Sequence, residues 1–189
     1  MICIYRMKVT HLILLVLFCF AFVQPAFAGG EVRYTKYNIH SQTKDGKTHK
    51  ASYANYTAPG VGHVIIPAGS EITVTKKKRK AFYFTFDGNK KVVFEYHQPR
   101  MGMSVVEYVD KVTSAEPTSL KELSKLDRKG VTEGKALVGM TRKGVMAALG
   151  YPATHRTPSP DSDSWVYWTN RYKTTVVDFG SNGKVVKVR

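Results

Sequence analysis

Histidines are the side chains best suited to chemistry here, and their spacing offers them no shared site. His40, His49, His63, His97 and His155 are scattered, and no pair has zinc-ligand spacing. The two cysteines, Cys3 and Cys19, both lie near the start of the chain and cannot complete such a set. Gly-x-Ser-x-Gly, His-Glu-x-x-His and a P-loop are absent. Gly60-Val61-Gly62 lacks the third glycine and the strand–helix setting of a nucleotide site. Asp161 and Asp163 resemble part of a calcium loop, but its glycine and distal glutamate are missing. Serine, histidine and aspartate far apart in the chain can still assemble a triad, because triads need not be local. The expectation is a protein that is not an enzyme, with no metal and no cofactor.

Binding chemistry is better supplied. The chain of 189 residues carries a formal net charge of +15, and a basic protein is drawn to anionic surfaces. The densest positive stretch is Lys76, Lys77, Lys78, Arg79 and Lys80. It reads either as a solvated hairpin end whose charges block edge pairing, or as an anion-binding tip. Tyr34, Tyr37, Tyr53, Tyr56 and Tyr83 belong to the same β-rich region. They can form a platform for sugar or peptide, or line a half-buried sheet face with their hydroxyls outward. A polar, proline-stiffened loop runs from His155 to Ser164, and loops of this kind often carry recognition. Arg156, Trp168 and Arg171 flank its ends and suit an anionic or peptide partner. The alternative is an ordinary surface connection.

The elements that must hold these residues begin after an apparent export signal. Arg6 and Lys8 precede an apolar run from Leu12 to Val23, and Ala26-Phe27-Ala28 has the small residues of a cleavage site. Residues 1–28 are therefore expected to be a signal peptide. Cys19 follows Leu17 and Phe18, not the small residues of a lipoprotein acceptor, so no lipid anchor is expected. Beyond the signal no cysteine remains, which points to a bacterial envelope compartment and to a core that must fold without disulfides. Export also makes nucleic acid an unexpected partner.

Residues 29–100 read as a β-rich domain of five or six strands. Lys44-Asp45-Gly46-Lys47, Pro67-Ala68-Gly69 and Asp87-Gly88-Asn89 are turn signals between alternating stretches such as Phe82, Phe84 and Phe86. This suggests a meander closed into a small barrel or sandwich. Residues 101–117 read as a helical linker: Ser104 with Glu107 is a capping box, followed by the stripe Val105, Val106, Val109 and Val112. A second box, Ser119 with Glu122, opens a helix carrying Leu120, Leu123 and Leu126 up to Gly130. Thr141 caps a third helix through Val145, Ala148 and Leu149. Gly150 in a left-handed conformation and Pro152 close it. Trp165 and Tyr167, with Val176, Phe179, Val185 and Val186, are expected to form the sheet face that it covers. Ser181-Asn182-Gly183-Lys184 is a hairpin turn.

The ordered set Val138-Gly139-Met140-Thr141, Val145, Ala148-Leu149-Gly150, Pro152, Trp165, Tyr167, Phe179, Gly183 and Val185 resembles the BamE family, also called SmpA/OmlA. The "Ile-Pro-Ala-Gly-Ser" turn at residues 66–70 is similar to those of SH3-like barrels of envelope proteins. The resemblances imply an α+β fold. An SH3-like antiparallel barrel or sandwich would come first. Residues 118–189 would follow as a BamE-like domain, two helices packed on a three-stranded antiparallel sheet. They also imply a non-enzymatic, periplasmic or envelope protein that binds a protein partner, anionic lipid or glycan, with peripheral membrane contact and a role in outer-membrane assembly or envelope integrity. A cell-wall glycan or peptide module led by the SH3-like half is the alternative, as is inhibitor-like recognition of an enzyme. The missing lipid anchor and the additional β domain depart from the family pattern.

Overall fold

The computed structural model describes residues 30–189, so the expected signal peptide lies outside the described residues. The fold is mixed α/β, with a large curled sheet, a small sheet and few helices. The first part contains β1 (Glu31–Thr35), β2 (Ile39–Thr43), β3 (Thr48–Ser52), β4 (His63–Ile66), β5 (Glu71–Lys78), β6 (Ala81–Phe86) and β7 (Lys90–Glu95). With β8 (Thr113–Ser114) they form one eight-stranded sheet in the order β4-β2-β3-β7-β6-β5-β1-β8. Two hairpins follow their turn residues: β2 with β3 around Asp45-Gly46, and β6 with β7 around Asp87-Gly88-Asn89.

The sheet is not the simple meander that turn spacing suggested. β1 pairs with β5 and β8, β3 and β7 run parallel, and Pro67-Ala68-Gly69 carries the chain from β4 to the non-neighbouring β5. Turn residues specify a change of direction, whereas pairing partners are chosen by which faces can be buried together. Ile39, Ile72, Val74, Phe82, Phe84, Val92 and Phe94 all enter one core inside the curl. Phe82 faces Phe94 across β6 and β7, with ring centroids 4.5 Å apart.

The stretch expected to be a linker contributes to that core. After a short turn of helix, α1 (Gln98–Met101), the capping box of Ser104 and Glu107 opens α2 (Val105–Val112). Val105, Tyr108, Val109 and Val112 are buried against the sheet. Val106, assigned to the buried stripe from sequence, is 49% exposed, and Tyr108 takes its place. A 100° step per residue puts positions 105, 108, 109 and 112 on one face and swings 106 away from it.

Two further helices, α3 (Lys125–Glu133) and α4 (Arg142–Leu149), pack with β9 (Ser164–Trp168), β10 (Thr174–Phe179) and β11 (Val185–Val188). The strands form an antiparallel sheet in the order β11-β10-β9. Its core contains Trp165, Tyr167, Val177, Phe179 and Val185 beneath Met140, Val145, Ala148 and Leu149. Val177, not Val176, faces inward, because it alternates in phase with Phe179; Val186 is 56% exposed. Helix α3 starts five residues later than Ser119 suggested. Its cap is Ser124, in a reciprocal box with Asp127, and it passes through Gly130 to end at Gly134.

A buried polar seam joins the two cores. Helix α4 leaves its last carbonyls without helical partners, as every helix does, and the large-sheet side supplies the donors. The backbone N–H of Asn38 donates to Ala147 O at 2.8 Å, and the Asn38 amide donates to Ala148 O at 3.1 Å and to Val131 O at 2.7 Å. His40 Nε2 lies 3.0 Å from Ala148 O, and Asn55 Nδ2 donates to Leu149 O at 2.6 Å. Gly150 closes the helix with φ +82 and ψ −175. This is not the left-handed conformation expected from sequence, but an extended positive-φ region open essentially to glycine alone.

Candidate functional site

At one end of this seam, both halves contribute to a single basic and aromatic surface. From the large-sheet side, β3 runs into Tyr53 and Tyr56, and β7 runs into His97 and α1 with Arg100. Arg100 Nη1 donates to the Tyr53 hydroxyl at 2.6 Å, and the Tyr53 and His97 rings are 6.1 Å apart. Pro99 sits in the first turn of α1, where its missing N–H costs nothing, and Arg100 next to it is exposed.

The C-terminal half supplies the rest. A turn closed by Arg156 N–H and Thr157 N–H donating to Ala153 O presents Arg156, whose guanidinium carbon is 5.9 Å from the Trp168 ring centre. Val166 N–H donates to Thr157 Oγ1, tying that turn to β9. Beyond β9, Arg171 lies 5.8 Å from the ring centre of Tyr172, which is 84% exposed. The two contributions are joined by backbone: Thr57 N–H donates to Trp168 O at 3.0 Å and Ala58 N–H to Thr169 O at 2.9 Å. Tyr56 is thereby held within the electrostatic reach of both Arg171 and Arg100.

The basic run divides around this surface. Lys76, Lys77 and Lys78 belong to β5 itself, where Lys77 pairs with Glu31 at 2.8 Å and Lys78 lies over the Tyr83 ring at 5.8 Å. Arg79 and Lys80 occupy the turn to β6 and line an open trough of about 490 Å³ with Tyr96, His97, Gln98 and Pro99. Only these two of the five reach the surface that carries Arg100. The tyrosines likewise separate. Tyr53 and Tyr56 join the surface, Tyr34 donates to Glu71 at 3.2 Å, Tyr37 is largely buried at the seam, and Tyr83 is beside Lys78.

Charge on the surface is predominantly positive, with the exposed Glu95 near Tyr56 the exception. Among the described residues, none of Arg79, Lys80, His97, Arg100, His155, Arg156 and Arg171 is in an ion pair. Partial burial, reinforced by the neighbouring charges of Arg100 and Arg156, lowers the pKa of His155. Burial raises that of the Tyr56 phenol. Guanidinium groups without carboxylate partners, set beside aromatic faces, can accept carboxylate or phosphate in paired hydrogen bonds.

Sequence reading placed Arg156, Trp168 and Arg171 at the ends of one loop but missed His97, Arg100 and Tyr172. A proline-preceded arginine gives no sign of what it will face, and Arg100 and Arg156 meet only because the seam brings the halves together. The rest of the loop is pinned from below. Arg142 donates to Pro160 O at 3.0 Å and to Ser162 O at 2.6 Å, with its guanidinium carbon 4.3 Å from the Phe179 ring centre. Among the described residues no group of three or more His, Cys, Asp or Glu could hold a metal ion, and no helix is long and apolar enough to cross a membrane. Comparison of the chain with family models, with curated proteins and with solved structures gives no match.

Proposed function

We propose that the protein is an exported component of a bacterial cell envelope that holds an anionic partner surface without transforming it. The observation that carries this reading is the run of cations from Arg79 and Lys80 through Arg100 to Arg156 and Arg171, without ion-pair partners among the described residues, contributed by both halves and interleaved with aromatic rings. The two histidines on it are flanked by arginines, an arrangement suited to holding an anion. Export is supported by the apolar N-terminal run and its small-residue cleavage pattern. A role in envelope integrity or outer-membrane assembly, as in the BamE-like resemblance, is supported by two helices on a three-stranded antiparallel sheet. Fold alone carries little functional weight, so the surface is the better guide.

The test is co-sedimentation with Gram-negative envelope fragments at low and high salt. Retention is expected at low salt and release at high salt, because exposed charges are screened. The triple variant Arg100→Glu, Arg156→Glu, Arg171→Glu should weaken retention at least about a hundredfold, at about 1 kcal/mol or more per reversed charge. Salt-insensitive retention, or an unaltered triple variant, would refute the reading.

A further inference from the structure

We infer that the ligand of this surface is an anionic polysaccharide, a chain of sugar rings carrying carboxylate or phosphate groups. This inference rests on the proposed anion-holding function and narrows its chemistry. Arg100, Arg156 and His97 gather around His155, while Arg171 lies toward Tyr56 and Arg79 and Lys80 line the trough. Two guanidiniums lie over aromatic rings, Arg156 by Trp168 and Arg171 by Tyr172, and a third, Arg100, donates to the Tyr53 hydroxyl. The unit that repeats is therefore one ring and one positive charge.

A sugar ring bearing an anionic group has the complementary unit. Its face of C–H groups, weakly positive, packs on the negative face of an aromatic ring. Its carboxylate or phosphate reaches the adjacent guanidinium. The rings presented are tyrosine and tryptophan, amphipathic groups with polar handles, not aliphatic chains that would insert among lipid tails. The trough lined by Arg79, Lys80 and His97 continues the basic strip beyond Tyr53. An extended chain can follow such a strip, with two or more of its rings engaged at once.

A single-stranded nucleic acid also combines rings with charge, and an acidic peptide supplies charge without sugar rings. Calorimetric titration of the full protein separates these. The probes are oligogalacturonate for carboxylate on sugar, dextran phosphate for phosphate on sugar, polyaspartate of matched length, oligothymidylate, and phosphatidylglycerol vesicles. One or both of the charged glycans should bind most tightly, and which of them does identifies the anionic group. Tyr172→Ala, a change at an exposed ring, and Trp168→Ala should each weaken glycan binding at least about fivefold while leaving polyaspartate binding unaltered. Equal or tighter binding of polyaspartate, oligothymidylate or vesicles would overturn the inference, as would glycan binding indifferent to Tyr172→Ala. If Arg156→Glu with Arg171→Glu weakens every anion alike while Tyr172→Ala is silent, the ligand class falls and the anion-holding function stands. If that double variant affects no anion at all, the function falls with it.

Discussion

Asp127 is 1% exposed, and its carboxylate does the work of two helix caps. It accepts from Ser124 N–H at 3.2 Å and Ser124 Oγ–H at 2.8 Å, closing the box at the start of α3. It also accepts from Thr141 N–H at 2.8 Å and Thr141 Oγ–H at 3.1 Å, while Thr141 Oγ accepts from Gly144 N–H to cap α4. One buried charge thus fixes the spacing of two helices, and Gly144 is glycine because a Cβ there would lie 2.1 Å from Asp127 Oδ1. Asp127→Ala should lower stability by about 3 kcal/mol, since it strands four donors and weakens both caps. Chemical denaturation checks this, and a loss below about 1 kcal/mol would show the caps to be independent. The sequence points to Ser119 with Glu122 as this box, whereas the structure closes it with Ser124 and Asp127. Asp127 is also bonded to Thr141, seventeen residues past Ser124, a long-range contact that local spacing does not express.

At the scale of an element, α4 is governed by what covers its carboxyl end. His40 Nε2 donates to Ala148 O, so His40 Nδ1 must accept, and His63 Nε2–H is the donor 3.0 Å away. The backbone N–H of His40 in turn donates to Asn55 Oδ1 at 2.8 Å. A proton added to His40 would break the bond from His63, and burial opposes the charge. Burial is the largest cause, the bond to Ala148 O works the other way, and His63 adds repulsion; the His40 pKa falls to about 4. Burial lowers His63 as well. The unfolded chain binds the His40 proton near pH 6.5, the folded chain only near pH 4. Stability is therefore complete above about pH 6.5 and is lost as pH falls from there toward 4, by on the order of 3 kcal/mol for His40. Melting temperature followed from pH 7.5 to 4 should show this slope, and His40→Gln should flatten it. An equal slope in the variant would assign the proton uptake elsewhere.

For the whole molecule, the same seam decides whether there is one folding unit or two. Asn38 and Asn55 together bridge the large sheet to Val131 O, Ala148 O and Leu149 O. Asn38 Oδ1 also accepts from Ala68 N–H at 2.9 Å, and Asn55 Nδ2 donates to Asn38 O at 3.2 Å. Replacing both by alanine leaves buried carbonyls without partners, at about 2 kcal/mol for each residue. Calorimetry of the double variant should resolve two unfolding transitions where the parent shows one. A single transition would mean that the apolar contacts alone couple the halves. Anion binding should weaken in the same variant although neither asparagine touches the ligand surface, because Arg100 and Arg156 are held together only through the docked halves.

Local order was legible in the chain itself. Phe82 and Phe84 against Val92 and Phe94 across an Asp-Gly-Asn turn, Ser104 with Glu107, Thr141 before α4, and Trp165 with Tyr167 each depend on residues within one hairpin or one helical turn. Side-chain periodicity and capping act over that range, so spacing in the sequence expresses them directly. The parallel pairing of β3 with β7, the place of α2 in the first core, and the meeting of Arg100 with Arg156 were decided by tertiary structure. Each depends on which buried faces and which unpaired carbonyls find partners far along the chain. Asn38 can satisfy Val131 and Ala148 only once the helices and the sheet are already in place.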